Sequence, residues 1–281
     1  MNESVPSSSE PILRLTGVGV TYPGGTKALS PQDLEIHEGE VTILLGRSGA
    51  GKSTLLRAMN LLVSPTEGTV SCPVLGDLSG VSKIRKHRRR TGMVFQQHQL
   101  IGRQTALTNV LTARLSRFST LRSLFALPRP DREKALSCLD RVGLLDKALQ
   151  RVDQLSGGQQ QRVGVARALA MEPGLILADE PVASLDPATS RQLLTLLRDV
   201  CRRDGITLVI SLHQVEFAKE FGDRIVALAH GRIVFDDTPE QLNEAALASI
   251  YEGETPVEKS DSRKTGVDAS STKDPALAAV R

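Results

Sequence analysis

Short apolar runs alternate along the chain with longer stretches that have helical spacing. Two early runs, residues 12–22 and 34–37, end in glycine-containing turns, which predicts antiparallel strands at one side of a sheet. Four later runs each end directly in glycine or polar residues. They are residues 41–45, 93–95, 175–178 and 206–212, followed by Gly46, Gln96, Asp179 with Glu180, and His213. Since open parallel sheets bind ligands beyond the carboxyl ends of their strands, this pattern predicts one site at one rim.

Helical spacing fills most of the intervals between these runs. The predicted helices are residues 55–62, 131–142, 188–203 and 215–221. Asp131 is a candidate N-cap for the second helix, Gly143 a candidate terminator, and Asp204-Gly205 closes the third. The order of elements predicts an α/β fold with a mainly parallel core sheet and an antiparallel β edge.

The chain divides into three predicted parts. Helical periodicity without a strand-like run extends from Leu100 to Arg151, which predicts a helical subdomain at about residues 100–160 within one domain at 11–251. The serine-rich residues 1–10 predict a disordered lead. Residues 252–281 contain few large apolar side chains and predict a disordered tail.

The segment Gly46-Arg47-Ser48-Gly49-Ala50-Gly51-Lys52-Ser53-Thr54 fits the phosphate-loop pattern between a predicted strand and a predicted helix. Its glycines allow a tight turn with inward N–H groups, and the helix start adds positive charge, so the loop forms an anion site. We expect a nucleoside triphosphate there. Lys52 would neutralise the β- and γ-phosphates, Ser53 would bind Mg²⁺, and Thr54 would lie near the α-phosphate. The alternative is a glycine-rich turn without a ligand, which the Lys-Ser-Thr sequence disfavours.

Two carboxylates follow the apolar run at residues 175–178. In a phosphate-loop protein, Asp179 would hold Mg²⁺ opposite Ser53, and Glu180 would polarise the water that attacks the γ-phosphorus. The alternative is an acidic strand end that faces solvent. The neighbouring phosphate loop favours the catalytic interpretation.

A second anion site is predicted at Ser156-Gly157-Gly158. Ser156 is a suitable N-cap for the helix that follows, and the two glycines leave the first N–H groups of that helix uncovered. One ATP could therefore lie between the phosphate loop of one copy and this helix start of another copy.

Composition excludes several function classes. A chain of 281 residues, 40% of them hydrophobic, is long enough for one large α/β core. The net charge of +3 and an aromatic content of 3% without tryptophan do not indicate a nucleic-acid stacking surface. The widely spaced Cys72, Cys138 and Cys201 argue against disulfides and zinc and fit a reducing cytosol. An export signal and a run of about 18 apolar residues, as a membrane span requires, are both absent from the sequence.

Across about residues 12–248, these motifs together resemble the nucleotide-binding subunit of ABC transporters. The resemblance implies a P-loop NTPase fold, ATP and Mg²⁺ as cofactors, and ATP hydrolysis. It also implies that Tyr22 stacks on adenine, that Gln96 links nucleotide and metal to the membrane partner, and that His213 contacts the γ-phosphate. Each residue has a simpler alternative: Tyr22 would pack beside a turn, and Gln96 and His213 would be ordinary polar strand ends.

The segment Ser184-Leu185-Asp186 resembles the ABC segment that lies across the dimer interface, although Asp186-Pro187 alone is a sufficient helix start. Residues 92–97, 107–111, 178–187 and 212–218 most resemble phosphonate import ATPases. His98 and Gln104 depart from that branch in the stretch where the permease docks, which leaves the permease open. The alternative is the ATPase of a phosphate, amino-acid or methionine importer.

The resemblance further implies three partners. They are a second copy of the chain, integral membrane permease subunits and, indirectly, an extracytoplasmic solute-binding protein. The chain would then be peripheral at the cytoplasmic face of the inner membrane. A non-transport ABC ATPase that acts on nucleic acid or ribosomes is the rival, but one phosphate loop without coiled coils or zinc modules argues against it. The basic residues 83–90 are predicted to form a solvated helix, and contact with anionic lipid headgroups or nucleic acid is the alternative.

Overall fold

Ten strands form two sheets in the computed structural model, which describes residues 11–96, 99–115, 118 and 128–251. The predicted disordered lead and tail, residues 1–10 and 252–281, lie outside the described residues, as does His98. The strands are β1 Pro11–Thr21, β2 Lys27–His37, β3 Val41–Leu45, β4 Glu67–Cys72, β5 Gly76–Asp77, β6 Thr91–Val94, β7 Leu175–Asp179, β8 Thr207–Leu212, β9 Arg224–Ala229 and β10 Arg232–Asp237.

Eight α-helices connect and cover the strands in the described residues. They are α1 Lys52–Met59, α2 Val81–Arg90, α3 Ala106–Arg114, α4 Arg129–Arg141, α5 Gly157–Leu169, α6 Pro187–Asp204, α7 Val215–Phe221 and α8 Glu244–Tyr251. Gly143 and Gly205 follow α4 and α6 in the left-handed conformation, with φ of 71° and 65°, as predicted for terminators. None of the described helices combines the length and apolar character that crossing a bilayer requires.

The six-stranded sheet has the order β10-β9-β3-β8-β7-β6. Strands β9, β3, β8, β7 and β6 are parallel, and β10 adds an antiparallel edge. Leu45 is paired with Leu212, and Asp179 with Ser211, so the carboxyl ends of the central strands are level. The predicted common rim is therefore confirmed for the ends of β3, β8, β7 and β6.

Both faces of the parallel strands β3, β8, β7 and β6 are buried, which explains their uninterrupted apolar runs. On β3, Val41, Ile43 and Leu45 belong to a core shared with the helices α3 to α7. Leu44 points to the opposite face and belongs to a second core with α1 and the other sheet. Residues of β3 thus pack against helices on one face of the sheet and against α1 and the other sheet on the opposite face.

The sequence predicts the first two strands at one side of the parallel sheet. In the structure they belong to a separate sheet instead. Its order is β2-β1-β4-β5, with every pairing antiparallel. Strand β4 has a polar sequence that gave no strand signal, and its pairing with β1 completes this sheet. At the crossing, a Cβ on Gly68 would lie 2.2 Å from the carbonyl oxygen of Gly17, so the two backbones are in direct contact.

Helices α4 and α1 differ most from the predicted ranges. Helix α4 begins after Pro128, and Asp131 lies within its first turn, where its carboxylate accepts a hydrogen bond from Arg114 instead of capping. Helix α1 ends at Met59, earlier than expected, because Leu61 has a left-handed φ of 53°.

The basic run forms α2, as predicted, but the helix is not solvated throughout. His87 is buried, and its Nε2 lies 2.9 Å from the carbonyl oxygen of Met59. Burial lowers the pKa of His87, so its imidazole is neutral near pH 7. Arg88 donates to the carbonyl oxygens of Asn60 and Leu61. These contacts attach α2 to the end of α1.

A buried ion pair joins helices α3 and α4. Arg114 Nε lies 2.7 Å from Asp131 Oδ1, and the two side chains are 7% and 10% exposed. Asp131→Ala leaves the guanidinium with Glu172 and the carbonyl oxygen of Ala170 as partners, and we expect it to lower the free energy of unfolding by about 1–3 kcal/mol in denaturant titrations. Glu133→Ala removes an exposed partner of Arg129 and should cost less than about 0.5 kcal/mol. Equal losses in the two variants would contradict this account.

Candidate functional site

The loop between β3 and α1 requires glycine at two positions. Gly46 has φ 149°, and a Cβ there would lie 2.3 Å from the carbonyl oxygen of Leu228. Gly51, at the N-cap of α1, has φ 105°, and a Cβ there would lie 2.9 Å from the carbonyl oxygen of Ala28. Both clashes involve backbone, so a side chain would displace the loop. The tight turn therefore depends on the glycines of the phosphate-loop pattern.

Lys52 begins α1 and points its ammonium back into the loop. Its Nζ donates to the carbonyl oxygens of Gly46 at 2.7 Å and Arg47 at 3.0 Å, and the residue is 4% exposed. Glu180 Oε1 lies 3.6 Å from the same nitrogen. Burial lowers the pKa of Lys52, and the Glu180 carboxylate opposes that shift. A buried cation thus faces the concave side of the loop, where an anion is favoured.

Ser53 and Asp179 meet directly across the rim. Ser53 Oγ donates to Asp179 Oδ1 at 2.7 Å, and Ser211 Oγ donates to the same oxygen at 3.0 Å. Arg57 lies 3.8 Å from the other carboxylate oxygen. Sequence reasoning missed Ser211 and Arg57. Ser211 had a signal, because it is a polar residue inside the apolar run of a central strand.

Glu180 has an uncommon backbone conformation for a residue with a side chain. Its φ is 43°, and its N–H donates to Ser211 Oγ at 2.8 Å, which stabilises the turn after β7. Gln96 Nε2 donates to Glu180 Oε2 at 3.2 Å. Left-handed non-glycine residues cluster at functional sites, because the surrounding structure must maintain their strain. The geometry brings Gln96, Glu180 and Lys52 into one group.

The oxygen atoms of Ser53 and Asp179 suit magnesium. The hydroxyl of Ser53 and the carboxylate of Asp179 are hard ligands, and Mg²⁺ is usually bound by one or two carboxylates together with substrate phosphates and water. Within the described residues, no group of three or more His, Cys, Asp or Glu side chains has the arrangement of a metal site. One hydroxyl and one carboxylate form a donor set that suits a metal also bound by phosphate oxygens.

Tyr22 and His213 lie at the margins of the site. The Tyr22 hydroxyl is 3.3 Å from Thr54 Oγ1, which attaches the tyrosine to the first turn of α1. His213 follows β8 and is exposed, and its carbonyl oxygen accepts a hydrogen bond from the Tyr251 hydroxyl at 3.2 Å. Tyr251 was not among the predicted site residues, because it lies in a terminal helix without a recognisable motif.

Ser156 is the N-cap of α5, as predicted, and forms a capping box with Gln159. Its Oγ accepts from the N–H of Gln159, and Gln159 Oε1 accepts from the N–H of Ser156. Gly157 and Gly158 form the first turn of α5. Within the described residues, no hydrogen bond joins these three residues to the phosphate loop. The structure of one chain therefore does not bring the two predicted anion sites together.

Asp186 caps α6, where its Oδ1 accepts from the N–H groups of Ala188 and Thr189, each at 3.0 Å. A helix start at Asp186 is the sequence-based alternative to a dimer-interface role for Ser184-Leu185-Asp186. The helix cap accounts for the carboxylate within one chain, and the interface role stays a prediction.

Comparisons with known proteins agree with this geometry. The family model for ABC transporters matches residues 29–183. The phosphite import ATP-binding protein PxtA of Stutzerimonas stutzeri is 62% identical over 242 residues, which cover 86% of this chain and 88% of that protein. The phosphonates import ATP-binding protein PhnC 3 of Nostoc sp. is 56% identical over 240 residues, covering 85% of this chain and 92% of that protein.

A solved structure shows the same fold. The ATP-binding cassette MJ0796, in a dimeric post-hydrolysis state bound to ADP and Pi, has a TM-score of 0.72 and 37% sequence identity. The match covers 81% of this chain and 98% of that chain. The resemblance inferred from the phosphate loop, the Ser-Gly-Gly segment and the Asp-Glu strand end is thus confirmed. The chain belongs to the ABC transporter family, whose ATP-binding cassette fold it adopts.

Proposed function

We propose that the chain is the ATP-hydrolysing subunit of an importer and that it couples ATP hydrolysis to the uptake of phosphonates. The observation that carries this proposal is the convergence of Lys52, Ser53, Asp179 and Glu180 at one rim of the sheet. The phosphonate assignment is supported by relatives such as PhnC 3 of Nostoc sp., at 56% identity. It is also supported by the resemblance of residues 92–97, 107–111, 178–187 and 212–218 to phosphonate import ATPases.

Glu180 is the proposed general base for the attacking water, and Lys52 the proposed phosphate ligand. These two side chains are 3.6 Å apart, so the carboxylate compensates the buried ammonium. Lys52 would bind the β- and γ-phosphates, whose charge would take the place of Glu180 beside the ammonium. The Glu180 carboxylate would then accept a proton from water, and Gln96 would orient it through the bond to Oε2.

The remaining ligand contacts come from three parts of the site. The loop N–H groups of residues 46–54 would bind the phosphates, and Tyr22 would contact adenine. Ser53, Asp179 and Gln96 would hold Mg²⁺, which supplies charge neutralisation at the transferring phosphoryl group. His213 would contact the γ-phosphate from the end of β8.

A second copy would complete the site with Ser156, Gly157 and Gly158. Support comes from the start of α5, which makes no hydrogen bond with the phosphate loop of its own chain in the described residues, and from the dimeric state of the similar cassette MJ0796. ATP would then stabilise the closed pair only as far as it binds the closed arrangement better than the open one. This differential affinity is the free energy available to drive transport.

The proposed assembly also contains integral membrane permease subunits and an extracytoplasmic binding protein that delivers the solute. The chain itself would be peripheral at the cytoplasmic face of the membrane. The words "import ATP-binding protein" in the names of PxtA and PhnC 3 support a permease partner.

Phosphite is a second candidate solute. The relative with 62% identity is named for phosphite import, whereas the phosphonate relatives reach 56%. Phosphite carries a P–H bond where a phosphonate carries a P–C bond, and both are small tetrahedral anions. Because the solute passes through the permease, contacts in this chain do not separate the two candidates.

Replacing Glu180 tests the catalytic assignment. We expect Glu180→Gln to bind ATP as the parent does but to hydrolyse it at least about 100-fold more slowly, because the amide does not accept the proton of water. Steady-state phosphate release and equilibrium ATP binding measure the two effects. The matched variant Glu133→Gln changes an exposed carboxylate in α4 and should hydrolyse ATP at the parent rate. Parent-like turnover in Glu180→Gln would contradict the assignment.

The same variant reveals the pairing of copies. With ATP, Glu180→Gln should elute as a dimer in size-exclusion chromatography with light scattering, since the closed state is no longer consumed by hydrolysis. Adding Ser156→Arg should prevent dimer formation without changing ATP binding, because a long cation replaces the small cap beside the partner's phosphates. A dimer that persists in the double variant would argue against the proposed interface.

Uptake of labelled solutes tests the transport assignment. The chain is expressed with its permease and binding protein in a strain that lacks its own uptake systems for phosphorus compounds. We expect accumulation of a labelled phosphonate with the parent chain and none with Glu180→Gln. Accumulation of phosphite alone would favour the second candidate. Accumulation of orthophosphate or an amino acid instead would refute both.

A further inference from the structure

The carboxyl end of α8 lies beside the phosphate loop. Ile250 is 2% exposed and belongs to the main core, and Tyr251 packs against that core with its ring half-buried. A cavity of about 260 Å³ separates this end of α8 from Ser48 and Gly49. The helix is therefore anchored by its apolar side, while its contacts with the site are a few directed hydrogen bonds.

Tyr251 bridges two segments that leave neighbouring strands. Its hydroxyl donates to the carbonyl oxygen of His213 at 3.2 Å, and its own carbonyl oxygen accepts from Arg47 Nη1 at 3.3 Å. Arg47 follows β3 and His213 follows β8, and these strands are paired at Leu45 and Leu212. One residue thus connects the phosphate loop and the His213 turn.

The His213 turn makes few other side-chain hydrogen bonds in the described residues. His213 is exposed, and its imidazole makes no hydrogen bond within the described residues. Gln214 is the N-cap residue of α7 but makes no side-chain cap bond, and its buried Oε1 has no partner in the described structure. The Tyr251 hydroxyl therefore supplies a hydrogen bond to a turn that has few others from side chains.

We propose that Tyr251 is a positioning residue for ATP hydrolysis, which holds the His213 turn against the end of α8 so that the imidazole faces the γ-phosphate. The inference rests on the proposed role of His213 and extends it to a helix outside the recognised motifs. The hydrogen bond restrains the peptide after His213 and hence the direction of its side chain. Burial raises the pKa of Tyr251, so the hydroxyl keeps the proton that it donates.

Tyr251→Phe removes the hydroxyl and retains the ring in the core. For the full-length chain assembled with its permease, we expect kcat for ATP hydrolysis to fall about 3- to 10-fold, as the loss of one hydrogen bond predicts. KM for ATP should stay within about twofold, because the phosphate loop and Tyr22 are unchanged.

Ser249→Ala is the matched control in the same helix. It also removes a hydroxyl, but Ser249 is exposed and its Oγ donates only to the carbonyl oxygen of Ala246. We expect its kcat and KM to equal those of the parent. Equal kcat values for parent and Tyr251→Phe would overturn the proposal, as would an equal loss in Ser249→Ala.

A double-variant cycle shows whether Tyr251 acts through His213. In a His213→Ala background, Tyr251→Phe should cause no further loss of kcat, because the side chain that it positions is gone. Losses that multiply would overturn the proposal, and so would a His213→Ala variant with parent activity. If the parent chain does not hydrolyse ATP at all, the proposed function fails rather than this inference.

Hydrogen exchange supplies a readout that does not depend on turnover. In the nucleotide-free full-length chain, peptides across residues 212–217 should exchange about 3- to 10-fold faster in Tyr251→Phe than in the parent, since one restraint on the turn is lost. Ser249→Ala should match the parent. Unchanged exchange in Tyr251→Phe would overturn the proposal even for an inactive preparation.

Discussion

The site depends on keeping a buried ammonium charged. Removing Lys52 from water disfavours its charged form, and the structure compensates with two loop carbonyls at hydrogen-bond distance and the Glu180 carboxylate at 3.6 Å. These partners also determine what the site can bind. A polyphosphate supplies more negative charge than Glu180 and would replace it, so ligand binding would also release the proposed base.

The sheet topology is what brings these charges together. Lys52 follows β3, Glu180 follows β7, and β8 lies between them and contributes Ser211 to the bonds around Asp179. Since the three strands are parallel and level, small turns at their ends are sufficient to place the side chains. Burial of both sheet faces fixes the strands, and the left-handed backbone of Glu180 is maintained by that rigidity.

Residue patterns were sufficient to predict the parts in which local chemistry and strand order agree. The phosphate loop, the rim with Asp179 and Glu180, and the capped start of α5 could all be read from short segments. Other features depend on partners distant in the sequence. Strand β4 forms because β1 pairs with it, and the carboxylate of Asp131 accepts a hydrogen bond from Arg114 instead of capping α4. Tyr251 is the clearest case, because its contacts with Arg47 and His213 cross about 200 and about 40 residues of chain.

The central claim is that the buried charge of Lys52 attracts the phosphates, and equilibrium binding of ATP to Lys52→Met tests it most directly. Methionine keeps the apolar stem and removes the charge. The account predicts an affinity loss of about 30-fold or more, because the charge that faces the phosphates is removed. Affinity within about threefold of the parent would contradict the account, since the loop would then bind ATP without this charge.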